Sequence, residues 1–569
     1  MEAVNQTPQP TVKQKNLKQL FTIIIVLLAV NFGGYYLYKR FDLTQDKRYT
    51  LSPATLSVIE EVKDPLYIDV FLEGQFPGEF KRLQDETKQL LEEFHARNSN
   101  IVFNFTNPLK DEDGRDQAVQ ELYKMGMTPV SVTVDDKGKQ SQELVFPWAM
   151  ANYGKKTVKF PLLKNMLLAS TAEKVVSSVQ HLEYAVTDAI NKVIKEKEKK
   201  VAIIKGNGEM NDRQIGDFIR NIRESYYIAP FTLDSVAKNP ETTLRQLKGY
   251  DLAVIAKPTE AFSEQEKQVL DQYIVEGGKT LWMVDAVQIE MDSLYNDTGV
   301  TLAFPRDLNL NDMFFKYGIR LNPDLVKDEI ATRIKLATGA QGSETQFQEY
   351  PWRFSPFIYP DSKNPIVKNM DGIRFEFANS IDTLKNGIDK TVLLRSSQYS
   401  RKIGTPTEIK LSMVEEETSP KDYADKGFVP VAVLLEGKFH SAFENRVLPF
   451  KDAAFKKVDK AGKMIIISDG DIAKNQLDKN FEPLELGYDK WTGVLYDNKG
   501  FLMNCVNYLL DDKGLINIRS KDVNLPLLDT QKVHENYTAA QFITVGLPIV
   551  ILAVFGFLFT YLRKKRYAK

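Results

Sequence analysis

The stretch VAIIKGNGEMND, residues 201–212, holds the residues best suited to chemistry: Gly206, Asn207, Gly208 and Glu209 stand between an apolar run and a helical pattern. A dinucleotide-type phosphate cradle needs G-x-G-x-x-G, whose glycines admit a tight turn and close approach of the backbone to the pyrophosphate. Gly206 and Gly208 fit, but Asn211 stands at the third glycine position. A hydrolase elbow needs a Ser or Cys nucleophile between its glycines, and Asn207 supplies none. Glu209 can bind a polar ligand or cap the following helix, and capping is the plainer use of a carboxylate there. These four residues form a candidate ligand-binding loop, and no catalytic residue is expected in it.

Other motifs are weaker. Gly277-Gly278-Lys279-Thr280 resembles the end of a Walker A loop, but Tyr273 stands where the earlier glycine belongs. The Walker lysine also opens a helix, whereas LWMV reads as a strand, so the glycines are expected to end a helix. Asp469-Gly470-Asp471 would begin a calcium loop only if oxygen ligands continued at alternate positions; Ile472, Ala473 and Lys474 follow. A strand-end turn is expected, with Asp471 capping the next helix. His95, His181, His440 and His534 show no ligand spacing, so no zinc site is expected. Cys505 is the single cysteine, which excludes an intrachain disulfide, a CxxC pair and a thiolate cluster. In FLMNCVNYLL it shares a helix face with Leu502, Val506 and Leu509 and reads as a small buried hydrophobe. Neither a metal nor a cofactor is implied.

The chain of 569 residues is long enough for two or three domains, and 75 Lys plus Arg against 76 Asp plus Glu leave a net charge of -1. That balance gives no bulk attraction toward nucleic acid. Leu20 to Tyr38 are 19 uncharged residues and Phe542 to Leu562 are 21, each close to the ~20 that cross a bilayer as a helix. A cleaved leader would need small residues after the first segment, where Tyr35, Tyr36 and Tyr38 stand, so an anchor is expected. Lys13, Lys15 and Lys18 precede the first span and Arg563-Lys564-Lys565-Arg566 follow the second, so both ends read as cytoplasmic. Lys39, Arg40, Lys47 and Arg48 oppose the first of these two votes. Ala29 and Gly33, four apart, with Asn31, and then Gly546, Ala553 and Gly556, are small or hydrogen-bonding residues on which a partner helix can pack. Pro548 is expected to kink the second span.

Hydrophobic periodicity divides the chain as follows. Residues 1–18 are a cytoplasmic N-terminus and 19–39 a transmembrane helix. Residues 40–160 show a βαβ-plus-hairpin order resembling a thioredoxin-like α/β domain, with Gly74-Gln75-Phe76-Pro77-Gly78 at the turn where a redox pair would sit. Residues 161–199 read as a helical connector ending in a solvated charged run. Residues 200–321 alternate strand and helix, which implies a doubly wound parallel sheet; Ser263 and Glu266 are placed for a capping box. Residues 322–460 form a β-rich insertion, and 461–512 return to the α/β sheet. A juxtamembrane linker, 513–539, leads to the second transmembrane helix, 540–562, and a cytoplasmic tail, 563–569. The fold class is α/β, anchored by two spans.

The stretches FDLTQDKRYTLSPAT, HLEYAVTDAI, IIKGNGEM, LDQYIVEGGKTLWMVDA, VAVLLEGKFHSAFENR, IISDGDIAKNQ and GFLMNCVNYLLDDKGLINIRSK together resemble the GldG family of gliding-motility-associated ABC transporter auxiliary proteins in Bacteroidetes-type bacteria. The resemblance runs from Phe41 to Lys569. It implies an inner-membrane protein with a periplasmic body, working with a GldF-like permease and, through it, a GldA-like ATPase, with room for a dimer in a symmetric transporter. It also implies a central fold similar to class I glutamine amidotransferases without their catalytic residues, related to a domain of an intraflagellar transport protein. The family loop more often reads Gly-His-Gly-Glu, so Asn207 departs from it. Many relatives carry more membrane helices, fused to the permease.

Two readings follow. One is a non-enzymatic auxiliary subunit whose extracytoplasmic body docks on the permease and contacts cargo or envelope partners. The other is a membrane-anchored cell-envelope hydrolase or carbohydrate-binding enzyme. The first is favoured because neither paired catalytic carboxylates nor a nucleophile–base set can be picked out.

Overall fold

In the amino-terminal body, alternating apolar residues build a small sheet that helices then cover. The computed structural model describes residues 12–36, 42, 44, 47–74, 76–111, 113–136, 139–341, 344–423, 426–521 and 530–567. After α1 (Val12–Tyr36), α2 (Pro53–Glu60) begins at Ser52, whose hydroxyl accepts from Thr55 N–H, with proline in the first turn. Strand β1 (Leu66–Val70) runs through α3 (Gly78–Arg97) into β2 (Ile101–Phe105), its parallel neighbour. Phe80, Leu83, Leu90, Leu91 and Phe94 of α3 are buried, as their spacing requires.

Helix α4 (Arg115–Lys124) follows, and then the expected hairpin, β3 (Val130–Asp136) with β4 (Lys139–Val145). That hairpin stands as a separate two-stranded ribbon. The place beside β1 goes instead to β5 (Trp148–Tyr153), antiparallel, with β6 (Lys156–Pro161) outside it, giving the order β2-β1-β5-β6.

Helix α5 (Thr171–Ile194), opened by a Ser170–Glu173 capping box, is the long helix expected within 161–199. Its stripe of Val175, Val179, Leu182, Val186, Ile190 and Val193 joins Leu66, Ile68 and Val70 in one core. A stripe with helical period must be covered, and the first sheet covers it.

The second body alternates β7 (Lys200–Lys205), α6 (Gly216–Ser225), β8 (Tyr227–Thr232), α7 (Pro240–Leu247), β9 (Leu252–Ala256), α8 (Glu264–Val275) and β10 (Lys279–Met283). Three later strands extend the sheet: β11 (Asp389–Arg395), β12 (Pro430–Lys438) and β13 (Ala461–Ile467). The seven strands lie in the order β11-β12-β13-β10-β9-β7-β8, with β13, β10, β9, β7 and β8 parallel. Strand β12 is antiparallel to both neighbours. β11 and β12 therefore belong to the central sheet, although they fall within the segment expected to be a separate insertion. Val431 to Leu435 are buried without alternation, as in a strand covered on both faces.

Helix α9 (Asn498–Leu510) packs with α6 on one face, where Ile215, Phe218, Cys505, Val506 and Leu509 share a core. Val269, Leu270 and Ile274 of α8 lie in the core of the other face. Part of the rest of the insertion gathers around Trp352, Phe354, Phe377 and Ile409, while Ile366, Val367 and Ile373 join the first of these cores and Phe439 and Phe443 the second.

Among the described residues one helix is long and apolar enough to cross a membrane: Tyr537–Arg566, 30 residues whose most apolar stretch has mean hydropathy 2.6 and no buried residue. Its Phe542–Gly546 turn is π-helical, just before Pro548, where a missing N–H disturbs the ladder. The apolar stretch Leu17–Phe32 of α1 is shorter.

Candidate functional site

The parallel strands, numbered along the chain, lie in the spatial order 2-1-3-4-5, so the winding reverses between β7 and β9. Ligands of open α/β sheets bind outside the carboxyl ends of the strands at such a point. The loop Gly206–Glu209 occurs there, directly after β7.

The loop is tied to its neighbours. Asn207 C=O accepts from Thr259 N–H at 2.9 Å and Glu260 N–H at 3.0 Å, both in the loop after β9. The Asn207 side-chain amide donates to Glu266 Oε2 at 3.2 Å, and Asn207 itself is 2% exposed. Gly208 has φ +72°, and a Cβ there would lie 2.1 Å from Thr259 Oγ1, so both backbone shape and close approach require glycine. Gly206 has φ +123° and faces Asp234. Glu209 Oε2 accepts from Asn207 N–H at 2.9 Å, bracing its own loop; α6 has no side-chain cap, which corrects the expected capping role. Burial raises the Glu209 carboxyl above its usual range, against the pull of backbone N–H groups and Lys205. Asn207 Oδ1 and Glu209 Oε1 are buried without a hydrogen-bond partner among the described residues.

Beside this loop the next strand ends carry charges into the interior. Lys257 follows β9 at φ 54° and is 4% exposed. Its Nζ lies 2.5 Å from Asp471 Oδ2, 2.8 Å from Glu290 Oε2 and 3.7 Å from Asp285 Oδ2. Asp285 follows β10, and its Oδ1 accepts from Gly470 N–H at 2.5 Å. A Cβ on Gly470 would meet Lys257 Cγ at 2.5 Å and Asp285 Oδ2 at 2.8 Å, so this glycine makes the close approach possible. Asp469, at the end of β13, accepts from Glu376 N–H at 2.7 Å and Asp471 N–H at 2.8 Å. Asp469 therefore holds the turn, while Asp471, expected as a cap, pairs with Lys257 and with Lys474 at 3.3 Å.

The protonation pattern follows. Burial, reinforced by Asp285 and Asp471, pushes Asp469 well above the usual carboxylate range. Burial takes Asp285 up to about 6 against the pull of Lys257. Burial also opposes ionisation of Asp471, but Lys257 and Lys474 outweigh it and hold this carboxyl low. The lysine already sits where a cation would, and no group of three His, Cys, Asp or Glu side chains among the described residues is arranged for a metal.

Sequence motifs brought the loop and Asp469–Asp471 into view but missed Lys257, Asp285, Glu290 and Glu376. A signal existed: LAVIA, LWMV and IIIS each run into a charged residue at a strand's carboxyl end, at Lys257, Asp285 and Asp469.

Of the other expected residues, only Glu266 reaches this edge, through its bond to Asn207. Gly277 and Gly278 close α8, with Gly278 N–H to Tyr273 C=O and Gly277 N–H to Ile274 C=O, and Lys279 opens a strand. Ser263 and Glu266 form the expected capping box. Cys505 is fully buried. Ala29, Asn31 and Gly33 lie in α1, where the Asn31 amide donates to Leu27 C=O at 3.4 Å within its own helix. Gly546, Ala553 and Gly556 lie in the carboxyl-terminal helix, with Ala553 and Gly556 exposed.

Residues 198–505, 308 of the 569, match a protein family described as an ABC-type uncharacterized transport system, and residues 45–152 match a domain of unknown function. No curated protein matches. Among solved structures, the mmIFT52 N-terminal domain is similar at 13% identity over 55% of this chain and 99% of that one, with a TM-score of 0.30.

Proposed function

The chain belongs to the ABC-type uncharacterized transport system family, and from that premise we propose that it is a non-enzymatic auxiliary subunit of an ABC transporter. The observation that carries the non-catalytic part is the closed carboxyl edge of the parallel sheet. Where related architectures place reacting groups, the Lys257 ammonium is held by Asp471, Asp285 and Glu290, and Glu376 and Asn379 of the insertion bond across the strand ends. The loop from Gly206 to Glu209 holds no serine or cysteine nucleophile.

In finer terms, the protein is a GldG-like subunit linked to gliding motility, held in the inner membrane by α1 and the carboxyl-terminal helix. Both termini are cytoplasmic and the body lies in the periplasm, docked on a GldF-like permease that couples it to a GldA-like ATPase. The order β2-β1-β5-β6 with α3, α4 and α5 supports a thioredoxin-like first body. The 2-1-3-4-5 order supports a doubly wound second body of the glutamine amidotransferase type. The exposed apolar helix Tyr537–Arg566 supports membrane attachment.

Copurification tests the reading. Tagged full-length protein extracted from native membranes should bring down a permease and an ATPase. Ala29→Leu with Gly33→Leu, which closes a small-residue surface on α1, should weaken that recovery. Absence of any permease from the purified material would overturn the proposal. Recovery that survives exchange of both helices for unrelated spans would move the contact to the extracytoplasmic body.

A further inference from the structure

Within the insertion, the strands Ala331–Gln341 and Glu344–Ile358 form an antiparallel ribbon. At its base the ribbon is packed: Thr332, Ile334, Trp352 and Phe354 are buried. Farther out, Ala337 to Gly339 and Thr345 to Glu349 are all exposed, on both faces. A two-stranded hairpin solvated in this way is marginally stable in water, and it gains from further strands.

The ribbon's two free edges are unequal. In the first strand Thr338 is an extra residue, because Ala337 pairs with Phe347 and Gly339 with Gln346. A bulge, with Arg333 and Lys335 nearby, is a usual device for keeping an edge from pairing. The outer edge of the second strand is taken at Phe357–Ile358 by Ile373–Arg374. From Thr345 to Tyr350 no strand pairs with that edge among the described residues. Its sequence there, TQFQEY, holds no proline, glycine or lysine. A regular row of unpaired N–H and C=O groups is a template for another strand.

The residues of this edge select its partner, because QFQ is symmetric about Phe347. Laid antiparallel on a second copy with Phe347 at the centre, Phe347 meets its counterpart, Gln346 meets Gln348 and Thr345 meets Glu349. Aromatic pairs directly opposite one another stabilise a sheet, and no like charges face each other in this register. A centre at Glu349 would oppose two carboxylates. Glu349 already stands opposite Lys335 within its own ribbon, and Lys335 Nζ lies 5.8 Å from the Phe347 ring centre. Phe347 itself is 58% exposed, free to meet a second ring. Self-complementarity about one residue is what a twofold contact between identical chains requires.

We propose that two copies of the chain pair along Thr345–Tyr350 about a twofold axis at Phe347, joining their ribbons into one four-stranded sheet. Attachment of both copies to one membrane, as proposed above, raises their effective concentration and favours a contact this short. The pairing itself needs no permease.

The test is copper-catalysed oxidation of full-length protein in native membranes. Cys505, the single native thiol, is buried and stays out of the reaction. Phe347→Cys sets two thiols directly opposite each other, at a Cα spacing of about 4.5–5.5 Å, so a disulfide-linked dimer of the chain should form. Glu349→Cys leaves the two Cα atoms about 14 Å apart, at ~3.4 Å per residue, and should not link. In detergent, light scattering should give twice the protomer mass for the unmodified chain. Phe347→Lys, which opposes two ammonium groups at the axis, should return it to the protomer at an unchanged melting temperature. Failure of Phe347→Cys to link, equal linking by Glu349→Cys, a product with a different protein, or a mass that Phe347→Lys leaves unchanged would overturn the proposal.

Discussion

Replacing Lys257 with methionine keeps most of the side chain's apolar stem and removes only its charge, which makes it the cleanest perturbation of the closed sheet edge. Lys257 and Asp471 are both buried, and Asp285 lies on the same ammonium. Removing one member of such a group leaves carboxylates uncompensated in a low-dielectric site, at a cost of about 3–5 kcal/mol. Read as amide exchange at constant pH, that is a loss of protection of about a hundredfold or more in the ends of β9, β10 and β13. Adding Asp471→Asn should restore part of the loss, because the orphaned charge goes with it.

The pH response has a definite sign. Asp285 is raised from 3.8 to about 6 in the folded chain, so its contribution is fully favourable below 3.8 and is lost as pH rises through about 6. The gap corresponds to at most about 3 kcal/mol. Asp471 is lowered, so its contribution is present above 3.8 and is lost only as pH falls below that value. Between these limits wild-type protein should melt at a higher temperature at pH 5.5 than at pH 7.5. The Lys257→Met deficit should also shrink toward low pH as the carboxylates take up protons. A variant within about 1 kcal/mol of wild type at pH 7.5, or a double variant no better than the single one, would refute the buried-charge reasoning.

Other expectations are simpler to state. Gly208→Ala forces a side chain into φ +72° and onto Thr259 Oγ1, and should lower stability by about 1–3 kcal/mol in urea unfolding; an unchanged midpoint would mean the loop is not held as described. Burial pushes the Cys505 thiol far above its ordinary value, so maleimide should label unfolded but not native protein. Cys505→Ser should cost about 1–3 kcal/mol for an unpaired hydroxyl while leaving transporter copurification intact. Protease added to spheroplasts should cut between Phe41 and Thr538 while tags at both ends stay protected; cleavage of either tag would reverse the proposed topology.

The reach of sequence reasoning varied with how local the cause was. The capping box at Ser263, the helix stop at Gly277 and the apolar faces of α3 and α9 follow from spacing alone, and the structure has them. Sheet membership did not follow. VSVTVDD and QELVF pair with each other as read, yet β5 and β6 take the place beside β1, because pairing among several strands is decided by tertiary packing. Likewise β11 and β12 read as part of an insertion, since an antiparallel strand on a parallel sheet leaves no separate mark in its own residues. The loop from Gly206 to Glu209 was legible as a loop. Its ties to Thr259, Glu260 and Glu266 lie about fifty residues away, beyond any local pattern.

The two edges of the central sheet differ in a way that bears on function. At the carboxyl edge, Lys257 draws carboxylates from three other chain segments onto one ammonium and the insertion closes over them, an arrangement that ties the fold together. At the amino edge paired charges stand around an open volume. That volume lies where the first body, the second body and the segment toward the membrane meet. Lys513 pairs there with Glu61 of the first body, and Lys521 binds Glu183 at 2.8 Å. A ligand at the amino edge would bear on all three parts at once, whereas one at the carboxyl edge would bear on the second body alone. For an auxiliary component of a transport system, the amino edge is the place from which binding would reach every part of the chain's body.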